Sequence, residues 1–225
     1  MPSDLFPSSD GKKLDSALRG LHATPTAPLP FLSGVVVRSF ILEREQGNVI
    51  VYNAPGITAA KKEILALGPP DRLLLTHWHE AMYGVPELNV PIFVHENDRE
   101  QTKLPIGGFF SKREKIGDDL EVIPTPGHTV GTTMFLWDNG DHRLLFPGDS
   151  IWVQGGKWRA VLLGESDREA YLTSLSHLIE LDFDILVPWG AKKVSRTATA
   201  SHALRRRRIW EELSSAYSLE KTGSL

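Results

Sequence analysis

The sequence predicts a single α+β domain in which buried strands bring polar side chains from distant parts of the chain to one edge. Two observations support this prediction. Short apolar runs bounded by Gly and Pro recur between residues 73 and 187, and such runs are typical of buried strands. Three of these runs lead directly into a His or an Asp, as expected where strand ends assemble a site.

The composition is that of one ordinary globular domain. The chain has 225 residues, of which 41% are apolar and 24% charged, so it can bury a core of usual size without cross-links. Residues 1–30 are polar and rich in Pro and Ser, and we expect them to form an N-terminal arm that wraps the domain or frays. Residues 31–225 then form the domain itself.

The first predicted elements of the domain are a hairpin and a helix. The apolar runs Val35–Leu42 and Val49–Tyr52 flank a turn at residues 45–48 (EQGN), which predicts two paired strands. Ile57–Leu67 has apolar residues at helical spacing, and Gly68 followed by two prolines should end that helix.

The middle of the chain contains four further strand-like runs, three of which end in a chemically active side chain. Leu73–Leu75 leads to His77, Val122–Ile123 to His128, Leu144–Phe146 to Asp149, and Ile185–Val187 to Pro188 and Trp189. Two helices are predicted beyond them. One begins at a capping box, Ser166–Glu169, and the other spans about residues 201–218.

The histidines form a candidate metal site. His77 and His79 are separated by one residue, so on an extended segment both imidazoles point to the same side. His128 and Asp149 each follow another strand and complete a set of four. Three imidazoles and one carboxylate suit one divalent ion, with zinc favoured and iron or manganese as alternatives. The chain has no Cys, so thiolate ligands and cysteine nucleophiles are excluded.

Three motifs resemble those of the metallo-β-lactamase superfamily. Thr76–Gly84 (THWHEAMYG) is similar to the signature T-H-x-H-x-D-H-x-G, and Thr125–Thr129 (TPGHT) and Phe146–Asp149 (FPGD) are similar to the second and third motifs. Residues 91–96 resemble the short strand that lies between them. The resemblance covers roughly residues 33–192 and implies a four-layer αβ/βα sandwich of the metallo-β-lactamase type.

The same resemblance implies roles for the four candidate ligands. His77, His79 and His128 match the ligands of the family's first metal, and Asp149 matches the carboxylate that bridges two metals. All three ligands special to the second metal are absent from the sequence. Ala81 and Met82 replace an Asp-His pair, and a late Pro-Gly-His-Gly becomes residues 188–191 (PWGA). We therefore predict that one metal site is retained and the second is lost.

These residues predict a metal-dependent hydrolase with one ion. A single zinc on imidazoles can generate hydroxide near neutral pH, and we expect this metal-bound hydroxide to attack an ester, thioester or related bond. Asp149 would be the fourth ligand or the general base. Glu80 occupies the variable position of the motif, which should point away from the metal.

Two alternatives remain. In the first alternative, the chain is a non-catalytic member of the family that binds a small ligand, and Met82 and Trp189 fill the empty half-site. The other alternative is a mononuclear iron dioxygenase, because His77, His128 and Asp149 form the two-histidine, one-carboxylate set that suits Fe(II).

The remaining expectations concern partners and location. The net charge of −3, and the spread of Arg205–Arg208 around a helix, argue against nucleic-acid binding. The first thirty residues contain no apolar run long enough for a signal peptide or a membrane span, so we expect a cytoplasmic protein with no membrane partner. We expect a small-molecule substrate, and the resemblance implies a tendency to form homo-oligomers. Aromatic side chains expected to flank the metal favour a hydrophobic or acyl substrate; they are Trp78, Phe109, Phe110, Trp152 and Trp158.

Overall fold

The computed structural model describes residues 14–154 and 157–192. Residues 1–13 of the predicted arm, the predicted helix at 201–218 and Arg205–Arg208 lie outside these ranges. No helix in the described part of the chain is long and apolar enough to cross a membrane.

The described residues form seventeen strands and three α-helices. The strands are β1 (Asp15–Leu18), β2 (Leu21–Ala23), β3 (Ala27–Pro28), β4 (Val35–Val37), β5 (Phe40–Leu42), β6 (Val49–Val51), β7 (Arg72–Leu74), β8 (Ile92–His95), β9 (Ile106–Phe110), β10 (Glu114–Ile116), β11 (Leu120–Pro124), β12 (Thr133–Asp138), β13 (Arg143–Phe146), β14 (Ile151–Gln154), β15 (Lys157–Ala160), β16 (Ile185–Leu186) and β17 (Gly190–Lys192). The helices are α1 (Gly56–Ala59), α2 (Lys61–Ala66) and α3 (Arg168–Glu180), and short 3₁₀ turns cover Trp78–Tyr83, Glu96–Asp98 and Gly148–Ser150.

The strands form three sheets. The first has seven strands in the order β1-β2-β5-β6-β7-β8-β9, and the second has five in the order β10-β11-β12-β13-β16. The third has five in the order β15-β14-β17-β4-β3. In the first sheet β6, β7, β8 and β9 are parallel neighbours, whereas the second is antiparallel except for the pairing of β13 with β16.

Three clusters of buried side chains separate four layers of structure. In the first sheet, alternate residues of each strand face opposite sides, as the two-residue period of a strand requires. Phe40 and Val51 face the second sheet, where they pack with Phe135 and Phe146. Ile50 belongs to a separate cluster that contains side chains of α1 and α2.

The second sheet is covered in the same way on its far side. Leu145 and Met134 pack with Leu178 of α3, so this helix forms the fourth layer. The order helices, sheet, sheet, helix is the predicted αβ/βα sandwich. Each large apolar side chain buried in these interfaces stabilises the fold by about 1.5–3 kcal/mol relative to an exposed one.

The predicted hairpin is confirmed for its second half only. Phe40–Leu42 pairs antiparallel with Val49–Val51, but Val35–Val37 is a separate strand that pairs with β17 and β3 in the third sheet. The apolar run Val35–Leu42, predicted as one strand, therefore forms two strands that belong to different sheets. The change of sheet falls at the buried polar pair Arg38 and Ser39.

The helix boundaries also differ from the sequence prediction. The predicted helix Ile57–Leu67 is two short helices, because Ala60 adopts a non-helical backbone conformation between them. The predicted capping box at Ser166 is displaced by one residue. Asp167 is the N-cap of α3 and accepts a hydrogen bond from the Ala170 amide, whereas Ser166 bonds elsewhere.

The predicted division at residue 30 does not coincide with a structural boundary. Of the arm, residues 14–30 are described, and they contribute β1 and β2 to the first sheet and β3 to the third. The pairing of β2 with β5 joins this segment to the centre of the domain.

Candidate metal centre

The four predicted ligands come from three strand ends. His77 and His79 follow β7 of the first sheet, and His128 and Asp149 follow β11 and β13 of the second. Because β12 is antiparallel to both of its neighbours, β11 and β13 run in the same direction and end at the same edge. The Thr133 amide at the start of β12 donates to the Thr76 carbonyl at 2.8 Å, which joins this edge to the loop after β7.

The four side chains converge on one point. Their ligand atoms all lie within 4.8 Å of one another. His79 Nδ1 is 3.1 Å from His128 Nε2, and Asp149 Oδ2 is 3.4 Å from His77 Nε2 and 3.8 Å from His128 Nε2. Tetrahedral coordination at zinc–nitrogen distances of about 2.0–2.1 Å places neighbouring ligand atoms about 3.3 Å apart. The three separations given above, 3.1, 3.4 and 3.8 Å, are close to this value.

His77 is fixed through its Nδ1 atom, and its Nε2 atom faces the other candidate ligands. Its side chain is fully buried, and Nδ1 lies 3.0 Å from the hydroxyl of Thr76 and 3.5 Å from a carboxylate oxygen of Glu80. Nε2 is buried and makes no hydrogen bond to any described residue. Its nearest charged group is Asp149 Oδ2 at 3.4 Å, and a metal ion between the two would be a ligand partner for both. Thus the donor set and its geometry both fit a bound metal.

Glu80 is a structural residue of the first motif. It is fully buried, and its carboxylate accepts hydrogen bonds from the Thr76 amide and hydroxyl at 2.8 and 2.5 Å and from the Asn53 amide at 2.8 Å. It therefore points away from the converging ligand atoms, as the sequence predicts, and supports His77 from behind.

The other two histidines are oriented by polar groups on their outer sides. His128 Nδ1 lies 2.9 Å from the carbonyl oxygen of Val161, to which it can only donate, so Nε2 is left with a lone pair facing Asp149. His79 Nε2 lies 3.6 Å from Glu165, which leaves Nδ1 facing the other ligands. Such outer partners fix the tautomer of a metal-binding imidazole.

The close packing of charges separates the pKa values of the three imidazoles. Burial acts to lower the pKa of His77, but the carboxylates of Asp149 and Glu80 outweigh it and raise that pKa to about 10. Burial, reinforced by the charge on His77, lowers the pKa of both His79 and His128 to about 4. Burial acts to raise the pKa of Asp149, but His77 lowers it below its usual range. The carboxylate is therefore ionised at neutral pH.

The turn that presents Asp149 is fixed by two neighbours. Gly148 has φ of +57°, and a Cβ there would collide with the Thr76 side chain. Its amide donates to the hydroxyl of Tyr52 at 3.1 Å, and that hydroxyl in turn donates to the Val187 carbonyl at 2.7 Å. Tyr52 is fully buried, so these bonds tie the Asp149 turn to the ends of β6 and β16.

The half-site that the family uses for a second metal is apolar. Trp189 is 2% exposed, and its ring centroid lies 5.7 Å from that of His77. Met82 is 43% exposed and does not fill the space beside the histidines. The centre instead opens into a cavity of about 660 Å³ whose lining includes Ala81, Met82 and Trp189.

The predicted aromatic rim is present in part. Trp78 and Trp152 line the cavity, whereas Phe109 and Phe110 do not. Phe110 is buried, where it packs edge-on against Phe135, so it belongs to the core. The side chain of Trp158 lies outside the described part of the structure.

Comparison with known proteins agrees with this fold. The sequence model of the metallo-β-lactamase superfamily matches residues 82–190, which include His128 and Asp149 and begin after His77 and His79. No match was found among curated protein sequences.

Solved structures of metallo-β-lactamases are similar in fold over most of the chain. An archaeal metallo-β-lactamase superfamily protein from Sulfolobus tokodaii is 17% identical, with a TM-score of 0.61 over 88% of this chain and 86% of that one. A metallo-β-lactamase from Pontibacter korlensis is 16% identical, with a TM-score of 0.67 over 92% and 98%. One from Elizabethkingia meningoseptica is 14% identical, with a TM-score of 0.61 over 97% and 93%.

The αβ/βα layers and the His-x-His, His and Asp ligands at their shared edge define a metallo-β-lactamase-type protein with a candidate metal site. The family model matches residues 82–190 of the chain, so the chain is similar to the metallo-β-lactamase superfamily in fold, in this part of its sequence and in its candidate ligand set. The three solved structures are each under 25% identical, so they establish the architecture and leave the reaction open.

Sequence reasoning missed the residues that support the ligands. Tyr52 and Glu165 carry no local pattern that marks them. Asp98 does, because it follows the end of β8 by three residues, just as His77 and Asp149 follow β7 and β13 by three. The rule that located the ligands would therefore have located Asp98.

Proposed function

We propose that the chain is a hydrolase that binds one divalent metal ion at His77, His79, His128 and Asp149. It would cleave an ester, thioester or related acyl bond of a small molecule. The observation that carries the proposal is the convergence of four candidate ligand atoms, among them the buried His77 Nε2, which lies 3.4 Å from Asp149 Oδ2. The open cavity next to them offers room for a substrate.

A divalent ion held at this point would acidify a bound water and polarise the substrate carbonyl. The protein's own contribution is to fix the ligands and to move a proton. The carboxylate of Asp149 lines the cavity with its side chain 25% exposed, so it can accept a proton from attacking water. The balanced reaction adds the water oxygen to the acyl carbon, breaks the bond to the leaving oxygen or sulfur, and transfers a proton to that leaving group.

The loss of the second half-site is what limits the proposal to one ion. Ala81, Met82 and Trp189 offer no oxygen or imidazole side chain to a cation. The only group of three or more candidate ligands found in residues 14–154 and 157–192 is the one described above.

The proposal is tested by metal content and turnover together. Protein purified without chelator should contain about one equivalent of metal, and a panel of ester and thioester substrates should be hydrolysed in proportion to added metal. The variant His128→Ala should lose both metal and turnover. His142→Ala is the matched control, because His142 is solvent-exposed and remote from the ligand set.

The same experiment separates the alternatives. Bound iron with oxygen consumption and no hydrolysis would favour the dioxygenase. No bound metal, with wild-type stability in His128→Ala, would favour a non-catalytic binding protein. That second candidate has one structural observation in its favour, since Trp189 is buried against His77.

A further inference from the structure

The cavity above the candidate ligands is walled by hydrocarbon. Its floor holds the polar groups of His79, His128 and Asp149. Apart from them, the lining side chains that carry an amide or a charge are Gln101 and Lys103, and both are solvent-exposed. The remaining lining residues are aliphatic, aromatic, Met or Gly.

Among residues 14–154 and 157–192, the exposed large apolar side chains are concentrated at this cavity. Nine large hydrophobic side chains of the described residues are exposed, and five of them line it. These five are Phe31, Leu32, Met82, Leu162 and Leu163. Their exposed fractions run from 36% for Leu162 to 73% for Phe31. Leaving such side chains in water is unfavourable, and a contiguous apolar patch of this kind marks a binding site.

The walls come from parts of the chain that are far apart in sequence. Phe31 and Leu32 precede β4, and Leu162 and Leu163 follow β15. Trp152 lies on β14, so the third sheet carries or adjoins all three segments. Val161, whose carbonyl lies against His128 Nδ1, also lines the cavity, so the apolar wall is in direct contact with the ligand set.

We propose that this cavity binds the aliphatic acyl chain of the substrate, so the preferred substrates are esters or thioesters of medium-chain to long-chain fatty acids. The inference rests on the proposed function for the bond that is cleaved, and on the lining for the chain that is bound. A charged or sugar-like acyl group would place polar atoms against the hydrocarbon walls without hydrogen-bond partners.

The reaction is simple hydrolysis and balances without a further reagent. The oxygen of water bonds to the acyl carbon, the bond from that carbon to the alkoxy oxygen breaks, and one proton passes to the departing alcohol. The fatty acid leaves as its carboxylate with the second proton released to solvent.

The first experiment measures kcat/KM for p-nitrophenyl acetate, butyrate, octanoate and decanoate with metal-loaded full-length protein. Transfer of each methylene into an apolar site is expected to raise kcat/KM by about fourfold until the chain fills the cavity. The second measures binding of decanoate and of propionate by the change in tryptophan fluorescence, which needs no turnover. Decanoate should bind, and propionate should not.

The matched variants are Leu163→Glu and Leu65→Glu. Leu163 is 42% exposed and lines the cavity, whereas Leu65 is 45% exposed on α2 and does not. Both changes put one charge at an exposed Leu, so neither should unfold the protein. Leu163→Glu should lower the decanoate-to-acetate ratio of kcat/KM by tenfold or more on the same scale of transfer free energy, and weaken decanoate binding. Leu65→Glu should leave both at wild-type values.

The outcomes distinguish this inference from the proposed function. Binding of decanoate that is lost in Leu163→Glu, with no hydrolysis of any ester, would support the acyl site and overturn the hydrolase. Equal kcat/KM for acetate and decanoate esters, with no decanoate binding, would overturn the acyl site and leave the hydrolase standing. Equal weakening by the two Glu variants would also overturn it, because the chain would then be adsorbing to the surface at large.

Discussion

Asp98 accepts a hydrogen bond from the hydroxyl of Thr129 at 2.8 Å and so joins two loops that carry candidate metal ligands. Its carboxylate also accepts from the Trp78 amide at 3.0 Å and from the Gly131 amide at 2.8 Å. Trp78 lies between His77 and His79, and Thr129 follows His128. The fully buried Asp98 therefore joins the two histidine loops without belonging to the candidate ligand set.

Replacing Asp98 by Asn should loosen the metal centre. The amide group would turn one acceptor oxygen into a donor that faces N–H or O–H groups, so at least one buried bond is lost. We expect the free energy of unfolding to fall by about 3 kcal/mol and the zinc affinity to fall about 10–100-fold. Urea denaturation and competition with a chelating dye measure the two quantities.

Asp119→Asn is the matched control for this variant. Asp119 binds Arg44 and the Trp137 ring nitrogen at the start of β11, the end opposite to His128. Its loss should lower stability but leave zinc affinity unchanged. If Asp98→Asn kept wild-type zinc affinity despite a loss of stability, its assigned role in joining the loops would be wrong.

Gly148→Ala should disturb the turn that presents Asp149. Both Gly148 and Gly84 have positive φ, of +57° and +71°. A Cβ at Gly84 would meet nothing within 4 Å, whereas at Gly148 it would collide with Thr76. Gly84 has ψ of −165°, a backbone conformation that is nearly restricted to glycine, so Gly84→Ala should cost backbone strain of about 1–3 kcal/mol and no collision. Gly148→Ala should add a steric cost of about 1–3 kcal/mol to the strain of its own positive φ. Equal losses in the free energy of unfolding for the two variants would contradict this account.

The strand ends and the convergence of the four candidate ligands were predictable because both depend on local patterns. Apolar runs followed by His or Asp located His77, His128 and Asp149, and the two-residue spacing added His79. The division of the run at residues 35–42 between two sheets was not predictable, since it depends on the pairing of Val35–Val37 with β17, which lies far away in sequence. Long-range pairing of this kind leaves no trace in a local window.

The residues that support the candidate ligands could not be predicted for the same reason, because their contacts are distant in sequence. The Tyr52 hydroxyl binds the Gly148 amide and the Val187 carbonyl, which lie 96 and 135 positions further along the chain. No sequence pattern near Tyr52 predicts either contact. Asp98 was overlooked although its position after β8 follows the same rule as the ligands. What the sequence conveyed was the chemistry of the ligand set, and the tertiary contacts that orient it became visible only in the structure.

Tyr52→Phe should weaken the same turn as Gly148→Ala by a different route. The change removes the hydroxyl that bonds the Gly148 amide and the Val187 carbonyl, and both partners stay buried. We expect a loss of about 1–3 kcal/mol in the free energy of unfolding, together with weaker zinc binding. Tyr83→Phe is the control, because its hydroxyl makes only an exposed bond to the Pro28 carbonyl at 3.2 Å, and it should cost less than about 1 kcal/mol.

The metal-free protein should have a maximum of stability near the ordinary pKa of histidine. The raised pKa of His77, about 10, contributes stability that is complete below about pH 6.5 and is lost as the pH rises through the folded value. The lowered pKa values of His79 and His128, about 4, contribute stability above about pH 6.5 that is lost as the pH falls through theirs. Urea denaturation in chelator across this range should therefore show decreasing stability on both sides.

The protonation of His77 should also make zinc binding depend on pH. A metal must displace the proton of His77, whereas His79 and His128 are already neutral at pH 7. Binding should release about one proton, and affinity should rise about tenfold per pH unit between roughly pH 7 and 9. Calorimetric titration in buffers of different ionisation enthalpy counts the protons. If zinc binding released no proton, His77 would be neutral in the metal-free protein. The assignment of a protonated His77 paired with an ionised Asp149 would then be wrong.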